Sequence, residues 1–494
     1  MKLSFGSLGL PASGCLVLPV ATGTPPGLDP DFDGALSRLI AEGRFTPDEG
    51  EVFDWIGPPG LAASRLLLVG IGDPSSFFEA AARRLGGTIV GVLEDAGIAE
   101  ASVLLNVIDG APVRSTAAAA FAAQGAVLRD YRFTRYRGRS REDDRAAVKA
   151  LAILTPDPAA AEAAFRPLSA VADGVLLARD LVNEPSNILT PEAFVQRARA
   201  LGSLGLEVEA LDVPALEAIG AGSLLAVGKG SVNPPRLLVV RWRGAEDPDA
   251  PPVALVGKGV TFDTGGISIK PAAGMWDMRG DMAGGAAVLG AMAALAGRKA
   301  RANVVGIVAL AENAFSGGAF RPGDIVTSLS GRTIEVIDTD AEGRMVLMDA
   351  LHYAADRFRP RAIVDIATLT GSIIRALGGR FSGLFATDDA LAKALVAAGE
   401  AEEERLWRMP LDPYYDENLK SDIADLRQVA PDEASADAIH GAALLRHFVG
   451  DSPWAHIDTG KLTAAEKDTT LCPKGATGFA VRLFDRWIAD TVEH

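Results

Sequence analysis

The chain reads as an α/β protein of two domains, and three observations predict this. It has 494 residues, and single hydrophobic cores stop growing at about 250–300 residues. Strand-like apolar runs alternate with helix-like Ala-rich runs throughout its length. The turn-prone tetrapeptide TPDP, Thr155–Pro158, breaks that alternation once and marks the boundary between residues 1–158 and 159–494.

In the first domain, MKLSFGSLGLPASGCLVLPVATG has one Lys and a broken apolar run, so it reads as a first strand and loop rather than a signal peptide. RLLLVGIGD, Arg65–Asp73, is a buried strand running into a glycine turn. FFEAAARRLGGTIVGVLEDAG begins helical and turns mixed. SVLLNVID, Ser102–Asp109, reads as a strand and TAAAAFAAQGAVLRD as a helix. YRFTRYRGRSR, Tyr131–Arg141, interleaves aromatics with positive charge, but acidic residues follow at once, so it reads as a basic surface strand or loop.

An Ala-rich connecting helix, Ala159–Asp180, opens the second domain. PPVALVGKG, ANVVGIVALAE, RTIEVID and RAIVDIATLT follow as strands, with helices between them. GGAAVLGAMAALAG, Gly284–Gly297, is nearly uncharged but too short and too Ala/Gly-rich to span a bilayer. No short-period repeat interrupts the pattern.

Composition excludes several classes of function. Lys and Arg number 48 against 64 Asp and Glu, a net charge of −16. That charge disfavours nucleic acid and anionic lipid as partners and suits metal cations or substrates bearing an amine. The two cysteines, Cys15 and Cys472, form neither a disulfide framework nor a cysteine zinc site, so a reducing, cytoplasmic setting is expected.

The chemistry concentrates in VGKGVTFDTGGISIK, Val256–Lys270, and DTDAEGR, Asp338–Arg344. The first is not a phosphate loop. Gly259 stands where Ser or Thr must follow the lysine, and Asp263 would repel a phosphate. Carboxylates at strand ends and in glycine-rich loops instead converge on hard or borderline cations, and Asp263, Asp281, Asp340 and Glu342 are the candidates. Four carboxylates balance two divalent ions; without them, mutual repulsion raises their pKa values. None of the five histidines lies in these stretches, so any metal site built here is rich in oxygen and differs from HExxH zinc sites. TIEVID alternates like a strand and MVLMDALHYAADRF reads as a buried helix, which places Asp340, Glu342 and Arg344 on a strand-to-helix turn. Arg344 beside a helix start is suited to an anion.

GKGVTFDTGGISIKP, MRGDMAGGAAV, NVVGIVALAEN and DTDAEGRMVLMDAL resemble the leucine aminopeptidase family, also called cytosol aminopeptidases. RDLVNEPSN, DIATLTG and PKGATGFAVR match as well, in order, across the second domain; the first domain resembles the family's N-terminal domain only loosely. The resemblance implies a mixed, helix-flanked sheet in a C-terminal catalytic domain, and a di-metal exopeptidase holding two divalent ions, Mn or Zn, per subunit. By motif match the ligands are Lys258, Asp263, Asp281, Asp340 and Glu342, with Asp263 and Glu342 bridging. Lys258 would ligate as the neutral amine, because a neighbouring dication strips its proton. Lys270 would stay charged and polarise the scissile carbonyl, while a metal-bridging water attacks. Arg344 would hold a bicarbonate acting as general base. Met278, Thr368 and Gly371 would line the substrate pocket, with an apolar first residue such as leucine preferred. A homohexamer acting on peptides with a free N-terminus is likewise implied.

Two positions depart from the family signature Asn-Thr-Asp-Ala-Glu-Gly-Arg-Leu. Met345 for Leu is nearly isosteric. Asp338 for Asn adds an acid and removes an amide donor beside the cluster, and its purpose is open at this point. The rival readings are a di-metal phosphohydrolase and a nucleic-acid-binding accessory protein. Lys258 as a ligand argues against the first and the net charge against the second.

Overall fold

The computed structural model describes residues 1–23, 30–138, 147–431 and 436–493. The chain forms two compact units. One comprises Met1–Ala172 with Lys467–Lys474, the other Asp173–Glu466 with Gly475–His494.

The first unit holds a six-stranded sheet in the order Lys2–Ser7, Ala150–Thr155, Glu100–Leu104, Cys15–Ala21, Arg65–Gly72, Val52–Ile56. Its pairings are parallel except at the Val52–Ile56 edge. Cys15, Val17 and Ala21 enter one core cluster and Leu16, Leu18 and Val20 another. Both faces of this strand are therefore buried, which is why it reads as an unbroken apolar run. FFEAAARRLGGTIVGVLEDAG resolves into one helix, Glu79–Asp95, despite its glycines. A Cβ on Gly86 would lie 1.8 Å from the Ala122 carbonyl oxygen, so the glycine permits contact with helix Ser115–Arg129. The strand expected over Ser102–Asp109 is instead Glu100–Leu104. The described part of the Arg-rich stretch, 131–138, contains no strand; Arg132 pairs with Glu94 at 2.9 Å. Its residues 139–141 lie outside the described residues.

The second unit is built on an eight-stranded sheet in the order Leu406–Arg408, Ser382–Ala386, Trp454–Asp458, Ala362–Ala367, Val253–Asp263, Asn303–Asn313, Arg236–Arg243, Glu207–Leu211. The four central strands, Trp454–Asp458 to Asn303–Asn313, run parallel, and antiparallel pairings flank them, so the sheet is mixed. Val305, Ile307, Ala309 and Ala311 pack in one cluster with Met345, Leu347 and Leu351 of helix Glu342–Phe358. Burying each such side chain is worth about 1.5–3 kcal/mol. The alternate residues face helix Ala283–Arg298, where Gly306 lies against Met292 and Gly285 against Val308. The segment Met275–Arg298 is long and apolar enough to cross a membrane, yet 83% of its apolar window is buried in this unit, as befits a core helix.

RTIEVID gives only a three-residue strand, Thr333–Glu335. It belongs to a separate three-stranded sheet with Ile325–Thr327 and Leu426–Arg427. Residues 336–341 form the turn that leads into helix Glu342–Phe358.

Candidate metal centre

Four parallel strands end on one edge of the large sheet, and each delivers a polar residue there. Asp263 and Asn313 are the last residues of their strands and Asp458 of a third. Thr368 follows the fourth, Ala362–Ala367. The carboxyl edge of parallel strands is where open α/β sheets bind ligands. Asp281 reaches the same place from the residue pair preceding helix Ala283–Arg298, and Glu342 from the first turn of its own helix. A carboxylate at a helix N-terminus is favoured by the helix dipole.

Lys258 lies inside strand Val253–Asp263, and its side chain is 4% exposed. Its Nζ is 2.9 Å from Asp281 Oδ2 and 2.7 Å from Glu342 Oε1, and donates to the Thr368 carbonyl oxygen at 3.0 Å. Thr368 Oγ1 donates to Asp281 Oδ1 at 2.7 Å. Lys270, 21% exposed, sits 2.8 Å from Asp263 Oδ2 and 2.5 Å from Asp340 Oδ1. The positive-φ pair Gly265 and Gly266 turns the chain immediately after Asp263, and Gly265 N donates to Asp263 Oδ1 at 2.8 Å.

The structure thus brings Lys258, Asp263, Lys270, Asp281, Asp340 and Glu342 together. Among the described residues, one oxygen from each of Asp263, Asp340 and Glu342 lies within 4.8 Å of the others. Asp281 Oδ2, Asp340 Oδ1 and Glu342 Oε1 are buried and lack an aligned hydrogen bond, although an ammonium stands close to each. Fully ionised, the four carboxylates would exceed the two ammoniums by two negative charges. The residues fit a divalent cation.

Burial raises the pKa of Asp281 against the pull of Lys258, and raises Glu342 well above the carboxylate range with help from Asp263. Burial likewise pushes Asp340 up to about 6, against Lys270. For Lys258, burial opposes the charge, but Asp281, Glu342 and Asp263 outweigh it and hold the ammonium.

Of the remaining expected residues, Met278 is half-buried in the short 3-10 helix Met275–Gly280, and its carbonyl accepts from Asp281 N at 3.3 Å. Gly371 is exposed at the start of helix Gly371–Leu377, with nothing within 4 Å of a Cβ added there. Arg344 is buried in the first turn of its helix, where Nη1 donates to the Gln428 carbonyl oxygen at 3.1 Å and Nη2 is ion-paired with Asp437.

Several residues of the site carried no signal in the sequence. Asn313 Nδ2 donates to Asp263 Oδ1 at 2.7 Å and to the Thr339 carbonyl oxygen at 3.0 Å. Gln428 clamps the acidic turn: its Oε1 accepts from Ile337 N and Asp338 N, and its Nε2 donates to the Ala341 carbonyl oxygen. Asp458 accepts from Leu369 N and Thr370 Oγ1, fixing the segment that carries Thr368. Only Asn313 was within reach of sequence reasoning, as the polar end of a long apolar strand. The structure also shows what Asp338 does. Its Oδ1 accepts from Asp340 N at 2.9 Å, a turn bond across two residues that an asparagine oxygen makes equally well.

A buried carboxylate–lysine cluster on the carboxyl edge of a mixed α/β sheet is the kind of site in which metal-dependent hydrolases hold their cations. Residues 176–484 match the family model for the cytosol aminopeptidase catalytic domain, and residues 19–140 the model for that family's N-terminal domain. The chain is 46% identical to the probable cytosol aminopeptidase of Caulobacter vibrioides over 93% of this chain and 92% of that one. It is 45% identical to that of a Chelativorans strain over 99% of both. Among solved structures, the bottromycin maturation enzyme BotP in complex with Mn is similar, with a TM-score of 0.84, 35% identity and coverage of 96% and 99%. So is a tomato leucine aminopeptidase mutant, with a TM-score of 0.86, 32% identity and coverage of 99% and 97%. The chain belongs to the cytosol aminopeptidase family and is a metal-dependent aminopeptidase.

Proposed function

We propose that this chain releases N-terminal residues, leucine and other apolar ones foremost, from peptides with a free amine, using two divalent cations, Mn or Zn. The observation that carries this reading is the convergence of Asp263, Asp340 and Glu342, one oxygen of each within 4.8 Å of the others, with Asp281 and Lys258 beside them. Lys258, Asp263, Asp281, Asp340 and Glu342 would hold the cations, with Asp263 and Glu342 shared and Lys258 losing its proton to ligate. When bound, the pair would lower the pKa of a shared water and polarise the scissile carbonyl.

The chain's own residues supply the rest. Lys270, the more open of the two lysines, presents its ammonium to the substrate carbonyl. Thr368 fixes the orientation of Asp281. Met278, Thr368 and Gly371 line the pocket for the first side chain. The sequence boundary is proposed at residue 158, the start of helix Pro158–Asn183, although the compact units divide further along that helix at Ala172; the assembly is a homohexamer, and the compartment is the cytoplasm. Light scattering of the purified protein tests the assembly. Arg344, two residues beyond Glu342, would hold a bicarbonate as general base wherever the carboxylate of Asp437 that pairs with it gives way.

Leucyl-p-nitroanilide hydrolysis by metal-stripped protein, with Mn or Zn restored and beside Glu342→Gln, tests the reading. Release that depends on the metal and vanishes in the variant is expected. Release that persists in Glu342→Gln, or that ignores metal removal, would overturn it.

A further inference from the structure

Arg344 is buried, with 4% of its side chain exposed, and a buried guanidinium without a counter-anion is strongly unfavourable. In this chain the anion is the carboxylate of Asp437, the first residue of helix Asp437–Arg446. Arg344 Nη2 pairs with Asp437 Oδ1 and also approaches the Asp437 carbonyl oxygen at 3.5 Å, while Nη1 is taken by the Gln428 carbonyl oxygen. The other oxygen of Asp437 accepts from Ser372 Oγ at 3.4 Å. Thr370 Oγ1 is the alternative acceptor for that single hydroxyl proton, at 3.2 Å, and itself donates to Asp458 Oδ2 at 2.7 Å. The pair is thereby tied to the segment whose Thr368 contacts both Lys258 and Asp281.

A carboxylate and a bicarbonate offer a guanidinium the same two-oxygen face, so they compete for one position. The tethered group holds the advantage, because attachment gives it a millimolar or higher effective concentration at no cost in translational freedom. Its placement in the first turn of a helix favours its charge further. Asp437 is also 44% exposed, so removing its side chain would open the guanidinium to small solutes.

We propose that Asp437 is the resident anion of the Arg344 site, so that this aminopeptidase turns over without a dissolved oxyanion. The proposal rests on the reading above only in placing Arg344 at the active site.

The test uses Mn-loaded protein in carbonate-free buffer at constant ionic strength, with bicarbonate, formate or acetate added. The wild-type rate is expected to stay flat with each anion. Asp437→Ala is expected to lose kcat by about tenfold or more with little change in KM, and to recover with added anion. The double variant Arg344→Ala/Asp437→Ala should not recover. Thermal melting gives a second readout: the midpoint of Asp437→Ala should rise with anion concentration and that of the wild type should not. Should Asp437→Ala fold poorly, Asp437→Asn keeps the volume without the charge, and is expected to be slow and unrescued because the space remains filled. Bicarbonate stimulation of the wild type, or an Asp437→Ala protein indifferent to anions in both rate and melting, would overturn the proposal. No release from any form would instead sink the aminopeptidase reading, and the melting series would still decide the anion site.

Discussion

Asn313 and Asp263 are Cα partners at the ends of two parallel strands, and Asn313 Nδ2 donates to Asp263 Oδ1 over 2.7 Å. The same amide group bonds the Thr339 carbonyl oxygen, so one side chain joins the sheet edge to the acidic turn. A group that orients a ligand is worth about 10–100-fold in metal affinity. Asn313→Ala is expected to weaken Mn binding by about that factor in calorimetric titration. Unchanged affinity would mean that Gly265 N alone orients Asp263.

Asp338 holds the turn through an oxygen that accepts from Asp340 N, a bond that does not depend on its charge. Asp338→Asn should therefore keep Mn affinity close to that of the wild type, while removing an acid that pushes the Asp340 pKa upward. Asp338→Ala should lose about 0.5–1.5 kcal/mol with the missing bond. Equal effects of the two substitutions would refute the turn-bond account.

The start of helix Ala283–Arg298 touches the sheet through Gly284, where a Cβ would lie 2.2 Å from the Ile366 carbonyl oxygen. The obstacle is backbone, so the helix must move, and Asp281 lies three residues before it. Gly284→Ala is expected to cost about 1–3 kcal/mol, read as a fall in melting midpoint, and to weaken metal binding. Gly379→Ala, with open space around it, should change neither.

His456 and Asp365 form a buried pair at 2.6 Å, with Trp454 Nε1 donating to the other Asp365 oxygen. Burial disfavours the imidazolium, but Asp365 outweighs it and the pKa of His456 is raised. A raised histidine pKa stabilises the fold fully below the unfolded value near 6.5, and that contribution fades as pH rises through the folded pKa. Asp365→Asn should lower the melting midpoint at pH 6 more than at pH 9. A larger loss at pH 9 would reverse the assigned direction.

The sequence made the α/β class legible because central parallel strands are buried on both faces and appear as unbroken apolar runs. Asp263, Asp281, Asp340 and Glu342 were legible as carboxylates at strand ends and in glycine-rich loops, whereas Lys258 and Lys270 entered only through the resemblance to the family's motifs. What could not be read depends on distant partners. RTIEVID alternates like a main-sheet strand, yet pairs only over Thr333–Glu335, because the following turn is held by Gln428. Helix Glu79–Asp95 runs through glycines that make sense only once Ala122 lies against Gly86. Asp437 lies beyond a stretch with no periodic pattern, and nothing local marks it as the partner of Arg344.

Strand Trp454–Asp458 is the last of the large sheet to be synthesised, yet it lies inside it, between Ser382–Ala386 and Ala362–Ala367. A chain emerging from the ribosome therefore carries all six charged residues of the cluster well before the sheet can close. Until residue 458 arrives, the segment bearing Thr368 lacks its anchor, and Lys258 and Asp281 lack theirs. A chain truncated before Trp454 is therefore expected to leave the cluster without the segment that steadies it.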